Sequence, residues 1–506
     1  MFNEKILCLG NNSIDTDVKT TNLANLNNTV NHGLIVDPDT IPNLGYYHTT
    51  ITDLAPGNIV RLAERFDKIV LHDQPWDQWN HWKPFLATFK LVIELEKLGY
   101  SVDYKSNENI KGINNIYQTL QTNKSFCIYP WTLLLEHYGM VPLCPKSSVP
   151  IRNTIGEITD WQTDPEFMKI RNKMLAGELL PDHCYNGCYS QEDEGIISTR
   201  IFETLDWACK LNLQSIEDLK KFTNPTYYEV RQGNKCNLQC RTCIPEHSDL
   251  IDKEYKSIGI VFPSQEFKYS NFDHIDIDSL EPTTRVYATG GEPTLFPGFY
   301  EFMQKCIDHG RTDFEFCLGY NAQKLSNKLL ELSRHFSDMN FSVSIDGYDL
   351  VNDYARWGSD FKTVIKNAKT LIAEGHKVTP ETVPSIYNVT NLDKLFEFYD
   401  QEFSGSAVFL QVAKSPDDML SPFNHPNIEL SVESLRRCTQ TNAYYTDARG
   451  QKSIIDTLLA HYTSNPKFDK DKLTTFFEFN DKLDQSRNVR LIDYIPELED
   501  ARRFIL

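Results

Sequence analysis

The chain is short of positive charge: 51 Lys and Arg stand against 70 Asp and Glu, a formal net charge of -19 over 506 residues. A surface that follows phosphates needs clustered lysine and arginine, so nucleic acid is excluded as a main partner. Long apolar runs are also missing. No stretch reaches the roughly 20 residues needed to span a bilayer, and no membrane partner is expected. The opening Met-Phe-Asn-Glu-Lys-Ile-Leu-Cys-Leu-Gly holds an apolar run too short for a signal peptide and reads instead as a first buried strand. Internal repeats, low-complexity tracts and long linkers are absent too. The expectation is a cytoplasmic protein.

What is there is the composition of a folded globular chain, 40% hydrophobic and 12% aromatic. Its length suggests roughly three or four domains. The twelve cysteines, in a reducing compartment, are expected to be free, metal-bound or catalytic rather than paired as disulfides.

Residues 1–115 read as a small α/β domain, with buried strands at Lys5–Gly10 and Lys68–His72 and a helix over Trp82–Gly99 closed by its glycine. Trp76, Trp79 and Trp82 recur every three residues, which suits a packing surface better than a ligand platform. The turn Gly10-Asn11-Asn12 reads as a plain connection rather than a ligand-binding helix start. Residues 124–213 form a turn-rich segment carrying Cys127, Cys144, Cys184 and Cys188. Residues 224–415 alternate strand and helix in the manner of a parallel α/β barrel. Six strands are expected there, at Tyr227–Arg231, Arg285–Thr289, Phe314–Tyr320, Phe341–Ile345, Val378–Ile386 and Val408–Ala413, enough for an incomplete barrel. Residues 416–506 read as a helical, charged tail without an obvious catalytic cluster.

Cys236-Asn-Leu-Gln-Cys240-Arg-Thr-Cys243 places three cysteines in eight residues, with no fourth nearby. Iron–sulfur cubanes usually take four thiolates. Three leave one iron able to bind a small molecule. A zinc site made from these three and His247 is the competing reading, although the loop lacks the second paired half that zinc sites usually show. The loop follows the expected strand Tyr227–Arg231, and active-site loops of β/α barrels sit at such strand ends.

This spacing and placement resemble the radical S-adenosylmethionine (SAM) superfamily, whose signature is CxxxCxxC after the first barrel strand. The resemblance implies an α/β fold with a partial (β/α)6 barrel and a 4Fe-4S cluster whose open iron chelates SAM. It also implies a reductant such as flavodoxin or ferredoxin, reductive cleavage of SAM, and a 5'-deoxyadenosyl radical that abstracts a substrate hydrogen. Gly290-Gly291-Glu292-Pro293 resembles the family's GGEP element, where backbone carbonyls hold the SAM ammonium and a Cβ would block approach. Asn321, Ser344 and Asp346 end later strands at positions that the resemblance assigns to SAM contacts, and Arg356 matches an arginine that pairs with the SAM carboxylate. Thr242 and Ile244 depart from the aromatic and glycine that relatives often carry, which puts the adenine contacts in question.

The upstream cysteines, Cys127, Cys144, Cys184 and Cys188, suit a 4Fe-4S cluster or an all-cysteine zinc site equally well by charge. With Glu192, Gly195, Ser198 and Arg200 they resemble the SPASM/twitch modules that carry auxiliary clusters, although the module here precedes the barrel and its cysteine pair has one extra intervening residue. The resemblance favours iron–sulfur over zinc. Cys317 lies about 13 Å below the end of its strand and reads as core; Cys306 and Cys438 have no assigned role. The function expected is a radical SAM enzyme acting on a small molecule or peptide, by crosslinking, epimerisation or oxidation, with the N-terminal domain recognising substrate or partner. The alternative is a non-catalytic iron–sulfur or zinc protein that binds a partner.

Overall fold

The computed structural model describes residues 6–9, 46–49, 68–72, 102–105 and 109–505, apart from 148, 194–197, 263–268, 404–405, 407, 414–415, 417, 446–453 and 465–468. By its contacts the chain divides into two compact units, residues 1–119 with 205–216, and residues 120–204 with 217–506.

In the first unit, Ile6–Leu9 (β1), Tyr46–Thr49 (β2), Lys68–His72 (β3) and Val102–Lys105 (β4) form a parallel sheet in the order β2-β1-β3-β4. The two strands expected here are present, joined by two that lack a comparably clear apolar run. The expected helix at 82–99, the three tryptophans and the Gly10-Asn11-Asn12 turn lie outside the described residues.

The second unit is built on a curled, wholly parallel sheet of seven strands. Its first strand is Leu133–His137 (β5), followed by a short antiparallel pair, Val141–Pro142 (β6) and Pro150–Arg152 (β7), outside that sheet. Then come Tyr227–Arg231 (β8), Arg285–Thr289 (β9), Glu315–Tyr320 (β10), Asp338–Ser344 (β11), Lys377–Thr382 (β12) and Phe409–Leu410 (β13). They are ordered β5-β8-β9-β10-β11-β12-β13. All six expected strands are present as a partial α/β barrel. The seventh comes from the cysteine-rich segment, in register with the first expected strand from Leu133 opposite Tyr227 to His137 opposite Arg231. That segment therefore shares the main sheet.

Parallel strands need crossovers, and helices here supply them while covering one face. Val230, Val286, Ala288, Leu318, Phe341 and Val343 are buried on that face against residues such as Phe299, Phe302, Val364 and Leu395 of the crossover helices. The alternating positions point inward and are polar. In register across the sheet stand Glu229, Tyr287, Cys317 and Asn340. Cys317 is buried, yet it belongs to this polar inner row and bonds Glu315 Oε1 at 3.5 Å, outside the apolar layer.

The tail is helical, as expected. Ile428–Cys438 and Ile454–Thr463 join the main core, while Lys470–Arg487 and Pro496–Ile505 pack a second core that includes Phe476, Leu483, Tyr255 and Tyr354. No helix among the described residues is long and apolar enough to cross a membrane.

Candidate functional site

The cysteine loop leaves β8 at the C-terminal edge of the sheet and is held by its own neighbours. Asp249 Oδ1 accepts from Cys236 N at 3.1 Å, the Asp249 amide donates to Asn234 O at 2.7 Å, and Ser248 Oγ donates to Leu238 O at 3.0 Å. Ser248 also caps the helix Asp249–Ser257. The fold from Cys240 to Cys243 closes through Cys243 N donating to Cys240 O at 3.1 Å.

Loops from later strand ends meet it. Gly290 and Gly291 have φ of +83° and +52°, and a Cβ on Gly291 would lie 2.4 Å from Lys235 O and 2.9 Å from Gly233 O. Only glycine allows this approach. Glu292 N donates to Lys235 O at 2.9 Å. The Glu292 side chain is buried and acts as a bracket: Oε1 accepts from Thr294 Oγ1 at 2.6 Å and Oε2 from Asn321 N at 3.0 Å, with Pro293 beginning the short turn it caps. Burial raises the Glu292 carboxyl pKa against these hydrogen bonds. Asn321 Nδ2 donates to Asn237 Oδ1, inside the cysteine loop, at 2.7 Å.

From the far side, Arg356 Nη1 pairs with Asp346 Oδ2 at 2.8 Å, and Asp346 Oδ1 accepts from Val383 N at 2.9 Å. These two expected SAM contacts thus engage each other. Arg356 Nε is buried without a hydrogen-bond partner among the described residues. Ser344 ends β11 opposite Glu381, half-buried. The backbone closes the circle, with Gln239 N donating to Trp357 O at 2.9 Å and Arg241 N to Ala355 O at 2.7 Å.

The three thiols are half-buried. Burial, and then the neighbouring Cys240, push Cys236 up to about 12. Cys243 is raised well above its ordinary value by burial and by both other sulfurs. Cys240 is raised by burial, opposed by Arg356. Three sulfurs that resist ionisation together are stabilised as thiolates by a bound cation, so loading would release protons. No group of three or more His, Cys, Asp or Glu side chains among the described residues is arranged to hold one metal ion. A cubane asks for something else, since each of three thiolates binds a different iron. His247 bonds the Tyr138 hydroxyl through Nδ1 and stacks on His137 at 6.4 Å.

The second site gathers four cysteines from three stretches of chain. Cys127, Cys144, Cys184 and Cys188 line one cavity together with Tyr129, His183 and Arg200. Burial first, and then Cys188, Cys144 and Cys184, raise Cys127; burial also pushes Cys144 up to about 12 and Cys184 up to about 11. The extra residue between Cys184 and Cys188 is absorbed by a π-helical turn, Tyr185–Tyr189. Gly187 in that turn passes so close to the Cys144 loop that a Cβ would lie 2.7 Å from Lys146 Cβ. Arg200 pairs with Glu192 Oε2 at 2.6 Å and donates to Phe126 O at 2.8 Å, while Ser198 Oγ donates to Glu192 Oε1 at 2.5 Å. Gly195 lies outside the described residues.

Sequence reading missed the residues that clamp the cysteine loop from the tail. Arg241, between Cys240 and Cys243, is fully buried. It donates to Asp484 Oδ1 at 2.5 Å, Asn480 Oδ1 at 2.9 Å and Tyr354 O at 3.0 Å, with its guanidinium 3.6 Å from the Tyr354 ring centre. Arg487 grips Glu254 and donates to Gln239 O at 2.9 Å. Its side-chain partners Asn480 and Asp484 lie more than 200 residues away, with no local signal to mark them.

No family model matches the chain. No curated protein matches it either. Solved structures align loosely. One described as anSMEcpe with bound AdoMet is 14% identical, over 42% of this chain and 57% of that one, with a TM-score of 0.32. Streptococcus suis SuiB bound to S-adenosylmethionine is 17% identical, over 47% of this chain and 48% of that one, at 0.29. A structure of TYW1 with a lysine-pyruvate adduct is 14% identical, over 40% and 70%, at 0.24. The chain thus spans little more than half the length of the first of these. Likeness this loose carries no conclusion about activity.

Proposed function

We propose that the protein is a radical SAM enzyme, with a 4Fe-4S cluster held by Cys236, Cys240 and Cys243 and SAM bound over it at the mouth of the barrel. One observation carries this reading: four later loops, bearing Gly291, Asn321, Asp346 and Arg356, meet the cysteine loop or its direct partners at one edge of the sheet. Gly291 leaves the close approach that a Cβ would fill, and the buried Arg356 Nε is a donor suited to a carboxylate. When bound, the reduced cluster and SAM supply a 5'-deoxyadenosyl radical. The chain's own share is to hold the ligands and to exclude water. Asn237 and Asn321 tie the cysteine loop to the end of β10, Glu292 fixes the glycine turn, and Asp346 orients Arg356.

The four-cysteine site we read as an auxiliary 4Fe-4S centre; zinc, the other expected occupant, needs its donors gathered around one ion, an arrangement not found among the described residues. Fully ligated, it would pass electrons to or from the barrel or shape the pocket. A peptide or small molecule as substrate, flavodoxin or ferredoxin as reductant, and recognition by the N-terminal domain belong to the same proposal.

Anaerobic reconstitution with iron and sulfide, followed by dithionite and SAM, tests it. The expected product is 5'-deoxyadenosine, abolished in Cys240→Ala while metal stays at the four-cysteine site. Both sites loaded and no 5'-deoxyadenosine would favour the alternative, a non-catalytic metalloprotein that binds a partner.

A further inference from the structure

The helix Lys470–Arg487 ends on a residue placed unlike an ordinary surface arginine. The Arg487 side chain is only 2% exposed, and its salt-bridge partner Glu254 only 5%. Nε donates to Glu254 Oε1 at 2.9 Å, and Nη2 donates to Glu254 Oε2 at 2.6 Å and to Gln239 O, next to Cys240, at 2.9 Å. Gln239 Nε2 in turn donates to Glu254 Oε2 at 3.1 Å. The third nitrogen, Nη1, is buried with no hydrogen-bond partner among the described residues. A buried guanidinium N–H left without an acceptor costs free energy unless something accepts it. Arg356 Nε is in the same condition. Arg487 thus grips the residue before Cys240, and Arg356 lies between Ala355 and Trp357, whose carbonyls accept from Arg241 N and Gln239 N on either side of that cysteine.

We propose that Arg487 is a tuning residue of the central cysteine site: together with Arg356 it supplies the positive charge that holds an anionic group at Cys236, Cys240 and Cys243, and so sets the reduction potential there. This rests on the cluster reading above. Three thiolates around an iron–sulfur group carry net negative charge, and one electron taken from dithionite adds another. A fixed cation at short range in a poorly solvated site favours the more negative state. Arg487 acts through its charge and through its grip on Gln239, without reaching the reacting atoms.

The test uses the full, anaerobically reconstituted chain, with the reduced central site followed by electron paramagnetic resonance. The signal missing from Cys240→Ala defines that site. At the potential where the wild type is half reduced, Arg487→Gln should lower the ratio of reduced to oxidised centre about tenfold, a one-electron shift of about 59 mV. Arg487→Lys, which keeps the charge, should recover most of that loss. Glu254→Gln removes the neutralising carboxylate and should move the ratio the other way. Shifts of equal size in the glutamine and lysine variants, or a Glu254→Gln shift in the same direction as Arg487→Gln, would mean a loosened loop and overturn the proposal. The Lys and Glu254 variants decide the matter even where Arg487→Gln does not fold. A wild-type chain that assembles no cluster at these cysteines sinks the functional reading as well, and that outcome is distinct from a cluster whose potential ignores Arg487.

Discussion

Gly291 and Gly310 both hold positive φ, +52° and +67°, but a Cβ on the first would strike Lys235 O at 2.4 Å while the second faces open space. Alanine at either position strains the backbone by about 1–3 kcal/mol. Only Gly291→Ala should also displace the cysteine loop, cutting 5'-deoxyadenosine formation at least tenfold by the order of such steric effects. Gly310→Ala should leave product formation unchanged, so comparing the two separates strain from obstruction. A second residue-scale prediction concerns Glu136, buried on β5 and 3.3 Å from His274. Burial raises Glu136 from 4.5 to about 7 and lowers His274 to about 4, so both partners are neutral in between. The folded state then holds the Glu136 proton that the unfolded chain gives up, so the Glu136 contribution to stability falls as pH rises from about 4.5 to 7, offset by His274, whose contribution rises between about 4 and 6.5 as the unfolded histidine loses its proton. Glu136→Gln removes that fall. Its melting temperature should gain on the wild type across this window, by up to roughly 3 kcal/mol in stability.

At the scale of elements, strands such as Arg285–Thr289 and Lys377–Thr382 were legible because burial alternates along them. Arg285–Thr289 was placed to the residue, and β10 and β11 begin within about three residues of expectation. β5 was not legible: Leu133-Leu134-Leu135 is a continuous apolar run, buried throughout, and such a run does not separate strand from helix. The candidate contacts at strand ends were legible for the same reason the strands were. The pairing of Asp346 with Arg356 was not, because sequence order says nothing about which of two neighbours a guanidinium takes first. In the upstream site the Glu192–Arg200 pair braces the chain beside Cys127 and Cys188. Arg200→Met leaves the half-buried Glu192 carboxylate with Ser198 as its remaining side-chain donor, at a cost of about 1–3 kcal/mol. Iron bound per chain should fall by about half, with the central site still loaded, if each site carries one 4Fe-4S group. Equal loss from both sites would speak against a local brace.

At the scale of the whole molecule, the tail that reads as inert closes the central site. Its role had no local signal, since Asn480, Asp484 and Arg487 follow the ordinary spacing of an amphipathic helix and meet the cysteine loop only in the fold. Asp484→Ala leaves Arg241 buried and uncompensated and should destabilise the protein by about 3–5 kcal/mol. The double variant Arg241→Met with Asp484→Leu should recover most of this, because apolar replacement of a buried pair is often neutral or better. Chemical denaturation monitored at the second core would read the difference.

The clamp between Arg241 and Asp484 also has a bearing on biogenesis. Synthesis runs from the N-terminus, and domains fold as they emerge. The cysteine loop leaves the ribosome long before residues 480–487, so a nascent chain exposes Cys236, Cys240 and Cys243 while Arg241 still lacks its partners. If the loop holds a cluster, full seating of it would follow translation of the tail. A chain stalled or cut before that helix would emerge with its cysteines in place and Arg241 without Asn480 and Asp484.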